Sequence, residues 1–147
     1  KIYSGTVAGA MEGLIQGISA VSFSLASQNS FNFDMIEPHV DRIVSEVIGK
    51  GLPPKTMLNV NFPDPAKHEF KGARITRLGR RFYSNDIVKR VDPRGGEYLW
   101  IGGTRVEMEN DVETDCGAVL AGYVSVTPLS PDITGHSAVE TLKEYDL

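Results

Sequence analysis

Ser4-Gly5-Thr6 are three small residues at the point where a strand-like run ends at Tyr3 and a helical pattern begins with Val7. The first amides of a helix have no partners within it, and the aligned peptide dipoles leave partial positive charge there, so a phosphate can occupy the gap. Gly5 lets the backbone come close, and the Ser4 and Thr6 hydroxyls add donors. The same residue types are ordinary helix caps, a role that needs no ligand. On the residues alone both readings stand.

Three other groups could carry chemistry. Glu107, Glu109, Asp111, Glu113 and Asp115 alternate along one stretch; alternate carboxylates in a loop read as a solvated rim rather than a cation cage. Asp132 and His136 stand four residues apart and could pair across one turn. Gly135-His136-Ser137-Ala138-Val139 has a serine after a histidine but lacks the second glycine of a nucleophile elbow, and no acid and histidine follow it in the order a serine esterase needs.

Stepping outward, the elements that would hold these residues follow from periodicity. Val7, Met11, Leu14, Ile15 and Ile18 mark one face of a first helix ended by Gly17. Its glycines, Gly5, Gly9, Gly13 and Gly17, recur every four residues and predict close packing on a neighbouring layer; Glu12 and Gln16 make the segment too polar for a membrane pair. Ile18 to Leu25 reads as a strand and Ala26 to Asn32 as a polar loop. A second helix runs from Phe33 or Met35 to Gly51, with Ile36, Val40, Ile43, Val44, Val47 and Ile48 on its apolar face. Met57 to Phe62 is a strand stopped by Pro63. Helix and strand in alternation predict an α/β fold with a mainly parallel sheet.

After Lys67 the pattern becomes β-rich. Gly72 to Leu78 reads as a strand, and Phe82 to Val91 with Tyr98 to Ile101 as a hairpin turning at Asp92-Pro93-Arg94-Gly95-Gly96. Tyr98 and Trp100 on the return strand suit a subunit interface or packing on the parent core. Thr114 or Asp115 caps a short helix through Tyr123, Val124 to Thr127 is a strand closed by Pro128, and Ser137-Ala138-Val139-Glu140 has the form of a capping box.

The chain has 147 residues, enough for one domain with a real core, and its 41% hydrophobic and 23% charged content is globular. No apolar run reaches the length of a membrane span. The single Cys116 cannot form an internal disulfide and suits a reducing compartment, so a cytoplasmic location is expected. Net charge is −4, yet residues 67 to 94 hold nine Lys or Arg against three acids, leaving +6 there and −10 elsewhere. Such a segment can attract a phosphorylated substrate or a polyanion, although a solvated face is the favoured reading, and the domain-wide basic balance of a nucleic-acid binder is absent. Lys1-Ile2-Tyr3 runs at once into a helix start without an initiating Met, and the chain reads as the later part of a longer protein.

Several separated blocks resemble the survival-protein SurE family of 5′/3′-nucleotidases: Tyr3-Ser4-Gly5-Thr6-Val7 with Ala10-Met11-Glu12-Gly13, Leu58 to Pro63, and Thr76 to Arg81. Asp92-Pro93-Arg94-Gly95, Leu99-Trp100-Ile101-Gly102, Gly122 to Leu129, and Asp132 with Gly135-His136-Ser137-Ala138 continue the match. The resemblance implies a Rossmann-like three-layer α/β core, with a β-hairpin arm and a C-terminal helix used in oligomerisation. It implies a metal-dependent phosphomonoesterase acting on nucleoside monophosphates, with Mg2+ or Mn2+ as cofactor, Ser4, Gly5 and Thr6 binding phosphate, and Tyr98, Trp100, Asp132 and His136 at the hinge or interface of a dimer or tetramer. The family's metal ligands, two Asp, a Ser and an Asn, all precede Lys1. The alternative is a non-catalytic, oligomerising anion- or nucleotide-binding module. The expected division is 1–66 as the later part of the core, 67–112 as the arm, 113–129 as a return to the core, and 130–147 as a tail swapped between subunits.

Overall fold

The computed structural model describes residues 4–27, 33–83, 87–101 and 106–146. The strand end at Lys1–Tyr3, most of the expected 26–32 loop and Leu147 lie outside the described residues.

Helix α1 (Gly5–Ile15) leads to β1 (Val21–Leu25), α2 (Glu37–Lys50) and β2 (Met57–Phe62). Then come β3 (Ala73–Ile75), β4 (Arg81–Tyr83), β5 (Ile87–Val91), β6 (Glu97–Ile101) and β7 (Val106–Met108). The chain closes with α3 (Asp115–Leu120), β8 (Val124–Leu129) and α4 (His136–Leu142). The central sheet has the order β1-β2-β8-β3. The β1–β2 and β3–β8 pairs are parallel and β2–β8 is antiparallel, so the sheet is mixed and mostly parallel. β4 pairs with β7 and β5 with β6, forming a separate two-step arm. β3 lies within the 67–112 segment assigned to the arm, yet it is an edge strand of the central sheet.

The two faces of the sheet differ in chemistry because strand side chains alternate. Val60, Phe62, Val124 and Val126 form the core on one face with Ile36, and Val40 and Ile43 of α2 pack against it. Phe23, Phe62, Phe70 and His39 add ring contacts with centroids 5.3 to 6.3 Å apart. Each large apolar side chain buried there contributes about 1.5–3 kcal/mol. The opposite face carries Ser22, Asn59, Ser125 and Thr127, all buried. Ser22 Oγ donates to Asn59 Oδ1 at 3.0 Å, and the Thr76 and Thr127 hydroxyls share a 2.8 Å bond.

α1 and α3 end in the same way. Gly17 takes φ +80°, its amide donates to the Leu14 carbonyl, and that of Ile18 donates to Gly13, while Gly122 (φ +89°) and Tyr123 repeat the pattern on Val119 and Ala118. This is the left-handed exit that glycine permits.

Several expectations need correction. β1 begins at Val21 rather than Ile18, because the Ile18 amide is still bonded back to the Gly13 carbonyl of α1. α2 begins at Glu37, where Pro38 fits the first turn, after a turn in which the Ile36 and Glu37 amides donate to the Phe33 carbonyl. None of its residues is fully buried, and Ile48, expected on the apolar face, is 80% exposed. Ile15 and Ile18 are likewise exposed. The α1 glycines do not mark close packing throughout: a methyl built on Gly5, Gly9 or Gly17 meets nothing within 4 Å, and only Gly13 approaches a neighbour, 3.5 Å from Ala20 Cβ. α4 starts at His136 with Gly135 as N-cap and no side-chain cap bond, so Ser137 does not act in a capping box.

Candidate functional site

Ser4 is the N-cap of α1, extended at φ −85° and ψ 117°, and its Oγ accepts a long bond of 3.4 Å from the Val7 amide. The first intrahelical bond runs from Ala8 N to Ser4 O at 2.9 Å. The Gly5 and Thr6 amides therefore precede the hydrogen-bonded ladder, and both residues are exposed. No acidic residue stands in the first turn to repel an anion. The structure thus gives Ser4 the capping role and leaves Gly5 and Thr6 presenting donors outward. α1 returns directly into β1, so Ser4 lies toward the end of the layer where β1 and β2 finish.

A cavity of about 210 Å³ also lies at the finishing ends of those parallel strands. Ala26 and Asn61 come from the strand ends, Asp64, Lys67 and His68 from the following turn, Met108 from the base of the arm, and Asp115 to Leu120 from α3. The turn is built by Asp64: its carbonyl accepts the Lys67 and His68 amides, and its Oδ1 accepts that of Ala66 at 3.1 Å. Lys67 Nζ stands 3.6 Å from Asp64 Oδ2. Asn61 Nδ2 donates to Ser125 Oγ at 3.3 Å.

The alternating acids do not form the uniformly solvated rim that was expected. Arg77 Nη2 donates to Glu109 Oε1 at 2.7 Å and to Asp111 Oδ2 at 3.0 Å, and Arg74 pairs with Glu113. The hydrogen bond from Arg77 holds the Glu109 carboxyl below its ordinary range, and Glu109 in turn raises the guanidinium. Asp115 is only 2% exposed; its Oδ1 accepts from the amides of Gly79 and Cys116 at 2.8 and 2.9 Å and from the Cys116 thiol. Asp115 therefore ties α3 to the chain leaving β3. Among the described residues no three His, Cys, Asp or Glu side chains gather so as to hold a metal ion.

Asp132 and His136 do meet, with Nε2 2.8 Å from Oδ2. Thr134 first, through side-chain and backbone bonds, and His136 second, hold the Asp132 carboxyl down at about 2. Tyr98 and Trp100 are exposed on β6, with the Arg90 guanidinium 5.9 Å from the centre of the Trp100 ring. The structure does not bring these four residues together with Ser4, Gly5 and Thr6 into one site: residues 87–100 of the arm and 130–146 of the tail are exposed.

The family model of the survival protein SurE matches residues 1–85. The chain belongs to the SurE family. It is 43% identical over 145 residues to the 5′-nucleotidase SurE of Symbiobacterium thermophilum, covering 99% of this chain and 57% of that protein. The corresponding protein of Aquifex aeolicus is 41% identical over 141 residues, with 96% and 56% covered. The crystal structure of the Aquifex aeolicus SurE protein superposes with a TM-score of 0.76 at 39% identity, over 97% of this chain and 57% of that one. The chain thus spans little more than half the length of the relatives it matches. No helix among the described residues is long and apolar enough to cross a membrane.

The cavity residues Asp64, Lys67 and His68 were not found by sequence reasoning. One signal was present: Asn59 and Asn61, like Ser22 and Ser24 or Ser125 and Thr127, put polar groups at every second position of strands otherwise rich in apolar residues.

Proposed function

We propose that this chain is the phosphate-holding portion of a phosphomonoesterase that hydrolyses nucleoside 5′/3′-monophosphates to nucleoside and phosphate. The outward Gly5 and Thr6 amides at an acid-free helix start carry the reading, and the names of the relatives support it. A phosphate seated there accepts from both amides and from the Thr6 hydroxyl, while Ser4 holds the helix end in place. The cradle is fixed before substrate arrives and favours the negative charge of the phosphoryl oxygens. A divalent ion, Mg2+ or Mn2+, is the cofactor the family implies. The described residues do not fit one, and this chain's part is confined to binding and orienting the phosphate. A cytoplasmic location fits the buried Cys116, which is not in a disulfide.

We also assign self-association to the arm and tail, giving a dimer or tetramer. Exposed Tyr98, Leu99 and Trp100 on a two-stranded ribbon, and Ile133, Val139, Leu142 and Tyr145 on the tail, are apolar surface without cover from the described residues. The Asp132–His136 pair fixes the direction in which the tail leaves. Residues 1–66 and 113–129 then belong to the core, with β3 added from the 67–112 arm segment, and 130–147 is the exchanged tail.

The test is Thr6→Val in the protein at its natural length, read by phosphate inhibition of nucleotide hydrolysis. A hydroxyl bond to a charged oxygen is worth roughly 1.5–3 kcal/mol, so phosphate affinity should fall by at least about tenfold. Melting temperature should hold, because Thr6 is exposed and the cap is Ser4. Loss of stability with phosphate affinity intact would reduce the site to a helix cap.

A further inference from the structure

A line of polar side chains crosses the central sheet on the side away from α2. Register sets Ser22 of β1 beside Asn59 of β2, and Asn59 beside Thr127 of β8. Thr76, one residue past β3, extends the line through a 2.8 Å bond between its hydroxyl and that of Thr127. All four residues are buried, and Asn59 is 0% exposed. Ser22 Oγ donates to Asn59 Oδ1 at 3.0 Å, yet Asn59 Nδ2 has no hydrogen-bond partner among the described residues. Turning the amide over does not help: Nδ2 would then donate to Ser22 Oγ, and Oδ1 would be the atom left unmatched. Two residues further along the same strands the neighbouring line closes directly, with Asn61 Nδ2 donating to its register partner Ser125 at 3.3 Å. Thr127 differs from Ser125 in having its hydroxyl tied to Thr76 on its far side.

We propose that Asn59 and Thr127 together form a binding site for one internal water molecule, which bridges the Asn59 amide to the Thr127 hydroxyl. Buried amides in native proteins are matched by protein groups or by ordered water. A hydroxyl offers one donor and two acceptor sites, so Thr127 keeps two of them after its bond to Thr76. Opposed side chains on neighbouring strands start from Cβ atoms about 4.5–5.5 Å apart, a span that suits a single water between their polar tips. Nothing larger reaches a residue closed to solvent. The helices over this part of the sheet are α1 and α3, neither of which joins the apolar cluster on the α2 face. α3 brings the small Cys116, Gly117 and Ala118 inward, which leaves the polar line uncrowded. The water joins two bonded segments into one line from β1 to β3. It recovers part of what an unmatched buried amide loses, less the freedom it gives up on being held. The site stands whether or not the protein is a phosphomonoesterase.

Two measurements on the natural-length protein test it. A crystal structure at a resolution that orders internal waters should show one within about 3.2 Å of both the Asn59 side-chain amide and Thr127 Oγ1. Oxygen-17 relaxation dispersion, which counts long-lived internal waters in solution, should lose one water in Asn59→Leu, a variant of similar size without the amide. Thr76→Val is the control: it breaks the bond at the end of the line but leaves both anchors of the water, so the count should stay that of the parent. Density that joins the Asn59 amide directly to a protein group, from Thr127 or from outside the described residues, overturns the site. A water that touches Asn59 but not Thr127 overturns the bridge, and so does an equal count in the parent and in Asn59→Leu. Should Asn59→Leu fail to fold, the crystal structure of the parent decides alone.

Discussion

Gly117→Ala is the most demanding single-methyl change this fold offers. Gly117 lies inside α3, buried, with its amide donating to Thr114 Oγ1 at 3.1 Å. A methyl built on it runs into the backbone carbonyl of Asp111. The obstacle is main chain, so no rotamer change relieves it. That carbonyl also accepts the Thr114 hydroxyl at 2.6 Å and the Thr114 amide at 2.8 Å, which pins the turn against retreat. Overpacking of a tight core costs about 1–3 kcal/mol, and a backbone obstacle places this variant near the top of that range. For a domain of this size about 3 kcal/mol lowers the melting temperature by about 10 °C. Gly9→Ala is the matched control: it lies in the interior of α1 with nothing within 4 Å, and removing glycine there should stabilise by roughly 0.5–1 kcal/mol through helix propensity. Thermal unfolding by circular dichroism, run on both variants of this chain, reads the contrast. An unchanged melting temperature for Gly117→Ala would show that the 111–114 turn yields freely, and that α3 is not clamped as its contacts indicate.

Two further outcomes follow from the tail and the arm. Asp132 has its folded-state value depressed from 3.8 to about 2, so its contribution is complete above about pH 4 and is lost as pH falls toward 2. Protection of the Thr134 amide, taken relative to its intrinsic exchange rate at each pH, should therefore fall over that acid window and stay level in Asp132→Asn; unchanged protection in the parent protein would contradict the pairing. In the natural-length protein, truncation before Ser130 should shift light scattering toward smaller or less stable assemblies, and Trp100→Ala should weaken the contact of the arm, whereas a parent protein that runs as a stable monomer at micromolar concentration would refute the interface.

What could be read from the sequence follows the range of the interactions involved. β2 was found at its true bounds because its apolar run ends at Pro63, a purely local signal. The 92–96 turn was found for the same reason: Asp92 Oδ1 accepts the Arg94 and Gly96 amides at 2.8 Å, and Gly95 takes φ +85°. The β5–β6 ribbon was legible, but the single strand expected from Phe82 to Val91 was not correct: Arg81–Tyr83 pairs instead with β7, about twenty-five residues away, without a turn signal. Ser137 misled because a Ser-x-x-Glu pattern is silent about the residue before it. The Gly135 carbonyl already accepts the Ala138 amide at 2.8 Å, and Gly135 is the cap, two residues before Ser137. Asp115 misled in the opposite sense: in a run of alternating acids nothing distinguishes the one whose carboxylate the Gly79 amide will meet. At the start of α1, the Ser4 cap could be read because a cap depends on one helix start alone. The cavity draws on residues from Ala26 to Leu120 and exists only once the sheet is assembled.

The sheet itself accounts for where a site can be built. Its α2 face holds Val60, Phe62, Val124 and Val126, a continuous apolar contact that supplies stability and tolerates no hydrogen-bonding ligand. The other face holds Ser22, Asn59, Asn61, Ser125 and Thr127, and it includes the buried Asn59 Nδ2, which has no hydrogen-bond partner among the described residues. An unmatched buried donor costs about 1–3 kcal/mol, so this face is less stable than an apolar one of the same shape would be. What it supplies in return is a row of polar groups fixed by strand geometry rather than by loops, and Asn61 carries that row to the strand end where the cavity opens. The strand-end cavity thus sits on the face that gives up apolar stabilisation, and the α2 face compensates across a single layer of backbone.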